Sequence, residues 1–220
     1  PYSRPACHAD VSREGCIHAG LVLTALYRGE PPGTCSDARG GWHDASDWGK
    51  YVPTAAPALY ELFRTAQVAP DLLTDGSSNI PESGNGIPDL FDEAMVELDW
   101  LLRVQRDDGG VYHKLTAKAW ATDRMPHLDL QTRYLNDVTT HDTGRVAAVM
   151  ALAARLLAPH APEHAARYRA SALKAWSFLE KHPTATPAEG FRQHDWSGGG
   201  EYRDRFGDAD ERAWAAVELY

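Results

Sequence analysis

Apolar residues recur at helical spacing in two segments of the first half of the chain. Leu59, Leu62 and Phe63 lie at i, i+3 and i+4 and predict a helix over residues 54–66. A longer apolar stripe predicts a second, core-facing helix from Asp89 to Val104. The members of this stripe are Leu90, Phe91, Ala94, Met95, Leu98, Leu101 and Leu102. The acidic residues between them are expected mostly off the stripe: Asp92, Glu93, Glu97 and Asp99.

The second half of the chain carries two further helical patterns. One predicts a helix from about Thr143 to Leu157, with Thr140 or Asp142 as its cap. The other predicts a helix from about Glu163 to Lys181. The residues expected in the core are Val146, Val149, Met150 and Ala153 in the first of these, and Tyr168, Leu173, Trp176 and Leu179 in the second.

The segments between the helices are mostly loops. Residues 1–39, 70–88 and 116–141 are expected to be irregular, and His141 is interpreted as a satisfied loop histidine. A turn signal precedes a short strand from Val111 to Leu115. Because strands do not alternate with helices, the pattern argues against a parallel α/β sheet and favours an all-α fold of paired helices joined by long loops.

Composition and charge narrow the possible partners. The chain has 220 residues, 43 % of them hydrophobic, which is ordinary for a globular domain or part of one. The formal net charge of −9, with no cluster of Lys and Arg, argues against nucleic acid as a partner. No apolar stretch approaches the roughly 18 residues of a membrane span.

The densest candidate chemistry lies between Gly40 and Tyr51, in the sequence GGWHDASDWGKY. Asp44 and Asp47 are three residues apart, which brings their side chains to the same side of a turn or of a helical turn. Close carboxyl pairs serve in acid–base chemistry, and aromatic neighbours suit a sugar ring. The alternative interpretation is a capped loop in which both aspartates only accept hydrogen bonds from nearby backbone N–H groups.

This segment resembles the signature of glycoside hydrolase family 9, the inverting cellulases and their relatives. Ser46 stands where the family usually has glycine, so a positive φ at this position would be costly. Three other segments also resemble the family: NGIPDLFDEA at 85–94, GGVYHK at 109–114 and DERAWAAVELY at 210–220.

The resemblance implies a fold and an activity. The fold is an (α/α)6 barrel of helical hairpins, of which this chain would supply roughly the first half, with both ends truncated. The activity is that of a secreted hydrolase that cleaves β-1,4-glucan with inversion, most simply an endoglucanase. The alternatives are an exo-acting glucosaminidase or another β-glycan hydrolase of the same family, and a non-catalytic carbohydrate-binding relative.

The resemblance also assigns roles to residues. Asp47 corresponds to the catalytic base that activates water, and Asp44 to the partner that holds the same water. Inversion requires the acid and base carboxyls to lie roughly 6.5–9.5 Å apart. The two aspartates are therefore interpreted as one base side, and the general acid is expected to be a glutamate downstream of Tyr220. Tyr202 matches a ring that stacks on sugar in relatives, and Trp42 is a second candidate ring, for which a role in the core is the alternative.

The cysteines leave two interpretations open. Cys7 and His8 are adjacent potential ligands, and some bacterial members of the family hold a structural zinc with residues that match Cys7, His8 and His43. The fourth ligand would precede Pro1 or be replaced by Cys16. The alternative is a disulfide between Cys16 and Cys35, with Cys7 as a spare thiol.

A calcium site is predicted near the end of the chain. The acidic residues around Asp210 lie in a Gly-containing loop just before a helix, where carboxylates also complement the helix N-terminus. The family commonly holds a structural calcium here. The residues that match its ligands are the carboxylates of Asp210 and Glu211 and the backbone oxygens of Phe206 and Gly207.

Overall fold

The regular structure of the described residues consists mainly of five α-helices and a small antiparallel sheet. The computed structural model describes residues 5–23, 26, 31–121 and 123–220. The helices are α1 (Val52–Val68), α2 (Asp89–Arg103), α3 (Thr140–Leu157), α4 (Pro162–Lys181) and α5 (Ala209–Leu219). The strands are β1 (Lys50–Tyr51), β2 (Val111–Ala117) and β3 (Arg133–Thr139), and three short 3-10 helices are Ala19–Leu23, Pro70–Leu72 and Pro126–Leu128.

Helix α3 is the central helix and is buried on nearly every side. It packs against α4, α5 and α1, and the four residues predicted to line its core face are fully buried. Its cap is Thr139, whose hydroxyl accepts the Asp142 N–H at 3.0 Å. The predicted caps Thr140 and Asp142 are therefore wrong: β3 runs directly into the helix, so the last extended residue, Thr139, takes the N-cap position.

Helix α2 begins at Asp89 as predicted, but two of the four acidic residues expected off its apolar stripe are buried. The exposed fraction is 4 % for Asp92 and 1 % for Glu97. Asp92 accepts a hydrogen bond from the Asn85 amide at 3.0 Å, and Glu97 accepts one from the Trp42 backbone N–H. The expectation that these two lie off the buried side is wrong, because loops packed on this side of the helix offer donors to their carboxyl groups.

Helix α4 faces α3 with a stripe rich in alanine. Tyr168 and Leu179 are buried as predicted, and Trp176 is partly buried. Leu173 is 45 % exposed, so its assignment to the core is wrong, whereas Phe178 is buried. The small residues of the stripe allow the two helices to approach closely. They are Ala165, Ala172 and Ala175.

The sheet joins the first third of the chain to its middle. Strand β1 pairs with β2 with Tyr51 opposite Lys114, and β2 pairs with β3 with Leu115 opposite Leu135. The prediction of a strand from Val111 is confirmed, whereas the expectation that residues 116–141 are irregular is wrong for β3. Apolar alternation did not reveal β3, because polar residues such as Asn136 are buried along it.

The predicted helical class is confirmed, with five helices among the described residues. None of these helices combines the length and the apolar character that a membrane span requires.

Candidate active site

Helix α2 anchors the start of the segment that carries the two aspartates. Gly41 has a φ of +73°, and a Cβ there would lie 2.6 Å from Cγ of Trp100. This close approach allows the next residue, Trp42, to donate its backbone N–H to the Glu97 carboxyl. Burial raises the pKa of Glu97 to about 8, although the Trp42 N–H and Lys50 partly oppose the shift. At neutral pH Glu97 therefore holds the loop mainly as a neutral acid.

Asp44 and Asp47 lie on a tight loop. The Asp44 N–H donates to the Gly49 carbonyl at 2.9 Å, and the Trp48 N–H donates to the Ala45 carbonyl at 3.0 Å. The non-glycine residue with positive φ in this loop is Trp48, at +55°. The cost expected from Ser46 therefore does not arise.

Each of these aspartates accepts a hydrogen bond from a tyrosine. The Tyr51 hydroxyl donates to Oδ2 of Asp47, and the Tyr202 hydroxyl donates to Oδ2 of Asp44. The two rings are nearly perpendicular, with centroids 4.9 Å apart. Asp47 is buried and also accepts the Gly49 N–H at 3.2 Å, whereas Asp44 is exposed. One carboxylate is thus held rigidly, and the other faces solvent beside it.

The environment of the tyrosines shifts their own titration. Burial, followed by the hydrogen bond to Asp47, raises the pKa of Tyr51 far above its usual value. The hydrogen bond to Asp44 is the largest cause that raises the pKa of Tyr202 to about 12. Both hydroxyls are therefore protonated and act as donors at neutral pH.

A glycine segment from the far end of the chain closes over Asp47. Gly199 has a φ of +79°, and a Cβ there would lie 1.8 Å from the Tyr51 hydroxyl and 2.5 Å from Oδ2 of Asp47. The next residue, Gly200, donates its N–H to the Tyr51 hydroxyl at 2.8 Å. Only glycine fits here, which is a signal that the SGGGE run carried and that sequence reasoning missed.

Lys114 stabilises this glycine segment through hydrogen bonds. Its ammonium donates to the Gln193 side chain at 2.6 Å and to the carbonyls of Gly198 and Gly200 at 3.0 and 2.8 Å. Burial lowers the pKa of Lys114 to about 7, and the negative charge of Asp47 is the largest opposing effect. The local sequence of the GGVYHK motif does not indicate this role of its lysine, because the partners of Lys114 lie 79 to 86 residues away along the chain.

A cleft of about 170 Å³ opens beside Asp44. Its lining consists of Trp42, His43, Asp44, Tyr51, Thr54, Ala55, Ala58 and Glu97. Trp42 is partly buried, and its indole N–H donates to Glu93 at 2.7 Å, which fixes the ring in the cleft wall. Tyr202 is 41 % exposed on the same cluster. Both predicted stacking rings therefore lie next to the aspartates.

Cys7, His8 and His43 converge in the described part of the chain. Their potential ligand atoms all lie within 4.8 Å of one another, and Nδ1 of His8 is 3.1 Å from Nε2 of His43. One thiol and two imidazoles are ligands that zinc prefers, so this donor set fits the predicted metal. His43 directly precedes Asp44, so a metal bound here would tie the N-terminal segment to the loop of the aspartates.

The remaining two cysteines form a disulfide, Cys16–Cys35. The suggestion that Cys16 replaces the fourth zinc ligand is therefore wrong, because its sulfur is already bonded. The predicted disulfide is present, and Cys7, which is not part of it, lies with the two histidines.

The four predicted calcium ligands lie together around the start of α5. Phe206 and Gly207 are in the preceding loop, and Asp210 and Glu211 are in the first turn. Oε1 of Glu211 accepts a hydrogen bond from Arg145 at 2.7 Å, whereas its Oε2 is buried and has no hydrogen-bond partner among the described residues. Burial raises the pKa of Glu211 to about 7. An orphaned carboxylate oxygen is compatible with a hard cation, and the calcium site stays a prediction.

His141 lies in the first turn of α3 rather than in a loop. It is fully buried, and neither ring nitrogen has a hydrogen-bond partner in the described structure. The interpretation of a satisfied loop histidine is therefore wrong.

The chain is similar to known proteins of one family. The model of the family described as "Glycosyl hydrolase family 9" matches residues 1–220. Endoglucanase C of Cellulomonas fimi is 39 % identical over 194 residues, which cover 84 % of this chain and 17 % of that protein. The chain thus spans less than a fifth of the length of this relative.

Two solved structures are also similar. A metagenome-derived glycoside hydrolase family 9 endoglucanase has a TM-score of 0.86 at 42 % identity, covering 98 % of this chain and 37 % of that one. A zinc-binding triple mutant of the family 9 endoglucanase J30 has a TM-score of 0.83 at 36 % identity, covering 98 % and 39 %.

Proposed function

Because the chain belongs to glycosyl hydrolase family 9, we propose that the full-length protein that carries it is a secreted endoglucanase, which cleaves β-1,4-glucan with inversion. The observation that carries the proposal is the pair of aspartates, one buried and one exposed, beside an aromatic cleft. A buried, fixed carboxylate beside an exposed one suits a base that takes a proton from water, and this favours catalysis over binding alone. The chain itself forms the first part of an (α/α)6 barrel.

Asp47 is the general base in this proposal. Its carboxylate is fixed by the Tyr51 hydroxyl and the Gly49 N–H, so it keeps one orientation while it takes a proton from water. Asp44 is the exposed partner and orients the same water. Its bond from the Tyr202 hydroxyl leaves the other carboxylate oxygen, Oδ1, to face the water.

The water then attacks the anomeric carbon from the side of these two aspartates. As the C–O bond to the leaving sugar breaks, a separate acid protonates the departing oxygen. Since the acid and base carboxyls of an inverting enzyme lie roughly 6.5–9.5 Å apart, the acid belongs on the opposite side of the sugar. We expect it to be a glutamate downstream of Tyr220.

Trp42 and Tyr202 are the proposed sugar contacts. The Trp42 ring is held in the cleft wall by its bond to Glu93, and the Tyr202 ring lies over the Tyr51 ring. A pyranose ring has apolar C–H faces and polar edges, so it can pack on such rings while its hydroxyls reach the carboxylates.

Both metals in the proposal are structural. Zinc would be held by Cys7, His8 and His43 and would stiffen the segment that leads to Asp44. Calcium would be held by Asp210, Glu211 and the backbone oxygens of Phe206 and Gly207. Secretion is supported by the Cys16–Cys35 disulfide, because disulfides persist in oxidising compartments.

Proton NMR of soluble cello-oligosaccharides during hydrolysis by the full-length protein tests the proposal. We expect the α-anomer to form first, and Asp47→Asn to reduce turnover by at least about 100-fold, in the range of a lost general base. Asp107→Asn is the matched control, because this carboxylate is fully exposed and its ion-pair partner, Lys174 at 3.9 Å, is not part of the candidate site.

Other outcomes identify the alternatives. Newly formed β-anomer would contradict inversion. Cleavage of chitosan oligomers without cleavage of glucan would favour an exo-acting glucosaminidase. Binding of glucan without any turnover would favour a non-catalytic carbohydrate-binding relative.

A further inference from the structure

The two ring nitrogens of His8 face different neighbours, and no single neutral tautomer satisfies all of them. Its Nδ1 faces Nε2 of His43 at 3.1 Å. Its Nε2 lies 3.3 Å from Nη1 of Arg133 and 3.5 Å from Oδ2 of Asp129. The side chains of His8 and Asp129 are 2 % and 0 % exposed, so water does not compete for these contacts.

The position of Arg133 is set by other partners. Its Nε forms an ion pair with Glu14 at 3.2 Å, and its Nη2 donates to the carbonyls of Trp48 and Leu115. The guanidinium can therefore offer Nη1–H to His8, but it does not depend on His8 for its place.

Each neutral tautomer of His8 satisfies a different neighbour. With the proton on Nδ1, the ring donates to His43 and accepts at Nε2 from Arg133. With the proton on Nε2, the ring donates toward Asp129 and presents a lone pair at Nδ1, on the side of His43 and Cys7. Only the second tautomer can bind a metal through Nδ1, because a protonated nitrogen has no lone pair to donate.

The hydrogen bonding of Asp129 favours the second tautomer of His8. Its Oδ1 accepts from the Gln131 backbone and side chain at 3.2 and 3.0 Å, which fixes the carboxylate. Its Oδ2 is buried and has no hydrogen-bond partner in the described structure. A buried carboxylate oxygen without a donor is costly. His8 itself has a φ of +50°, a strained conformation that non-glycine residues keep mostly at functional sites.

We propose that Asp129 is the positioning residue of the zinc site formed by Cys7, His8 and His43: its Oδ2 accepts the Nε2–H of His8 and thereby selects the tautomer whose Nδ1 binds the metal. Carboxylates that accept the second N–H of a metal-bound histidine typically contribute 10–100-fold to metal affinity, by fixing the tautomer and raising the basicity of the ligand. When zinc binds, His8 Nε2 would therefore stop accepting a hydrogen bond from Arg133 and would donate one to Asp129.

The test is the zinc affinity of the purified full-length protein, measured by competition with a chromophoric chelator. We expect one zinc per chain, lost in His8→Ala. We expect Asp129→Ala to weaken binding about 10–100-fold, and Asp129→Asn to weaken it less, because the amide keeps an acceptor oxygen. Asp123→Ala is the control in the neighbouring loop; its side chain is 67 % exposed and its affinity should match the wild type.

Cobalt(II) absorption spectra provide the second readout. Thiolate-to-cobalt and ligand-field bands should appear in Asp129→Ala only at higher metal concentration, but with unchanged shape, because the three direct ligands remain. Zinc affinity within about threefold of the wild type in Asp129→Ala, with binding abolished in His8→Ala, would overturn the role of Asp129. A wild-type protein that binds no zinc would overturn the site as well, while leaving the proposed hydrolysis untouched.

Discussion

Replacing Glu97 with glutamine should change how the stability of the protein depends on pH. Glu97 is 1 % exposed and accepts the Trp42 N–H at the start of the loop of the aspartates. Burial raises its pKa from 4.5 to about 8. The folded protein therefore keeps the proton on Glu97 at pH values where the unfolded chain has released it. Glutamine is neutral at every pH and retains an acceptor oxygen for Trp42.

The sign and size of the effect follow from linkage. Because the folded pKa is raised, the wild type loses stability as the pH increases from 4.5 to about 8, and the full penalty remains above that. At about 1.4 kcal/mol per pKa unit, this interval corresponds to a penalty on the order of 5 kcal/mol. Glu97→Gln should therefore match the wild type near pH 4.5 and exceed it by a few kcal/mol at pH 9.

Urea unfolding followed by tryptophan fluorescence between pH 4.5 and 9 measures this difference. The comparison of the two proteins at each pH removes the contributions of other titrating groups that they share. Glu61→Gln, an equally conservative change at an exposed position of α1, is the matched control. A constant difference between Glu97→Gln and the wild type over the whole range would refute the reasoning, because Glu97 would then ionise equally in both states.

Three further changes test the loop, the metal cluster and the core. Gly199→Ala should reduce turnover at least about tenfold, because its Cβ would lie 1.8 Å from the Tyr51 hydroxyl. The measurement is steady-state kinetics at a temperature where circular dichroism shows that the variant is folded. An unchanged kcat would contradict the prediction. Cys7→Ser should lower the melting temperature of zinc-loaded protein but not of chelator-treated protein, as seen by calorimetry. Phe178→Ala should cost about 3–5 kcal/mol in urea unfolding, and Leu173→Ala, at an exposed position, less than about 1; equal costs would contradict the packing of α4.

Local patterns predicted the helices and the loop of the aspartates well. Helices α1 to α4 lie within a few residues of the predicted bounds, because apolar spacing reports which side of a helix is removed from water. The glycines at 40 and 41 and the spacing of Asp44 and Asp47 likewise indicated a tight loop with both carboxyls together. These features depend on neighbours only a few residues away in the chain.

Tertiary structure decided which polar groups are buried and what they meet. Lys114, Arg133 and Glu97 are fully buried, and each is stabilised by partners from distant segments. A polar residue gives no periodic signal of burial, because its burial is tolerated only where a partner arrives. For the same reason β3, which buries Asn136 and Arg133, was predicted as irregular.

The candidate site itself depends on both sources. The sequence determined its chemistry: two aspartates, their aromatic neighbours and the cysteine and histidines beside them. Only the fold brings the segment of Gly199, Gly200 and Tyr202 into contact with the loop of the aspartates. The hydrogen bond from Gly200 to Tyr51, for example, joins residues that are 149 positions apart in the chain. Likewise, only the fold pairs Cys16 with Cys35 and leaves Cys7 with His8 and His43. Contacts over such separations are set by how helices and strands pack, and no local pattern encodes them.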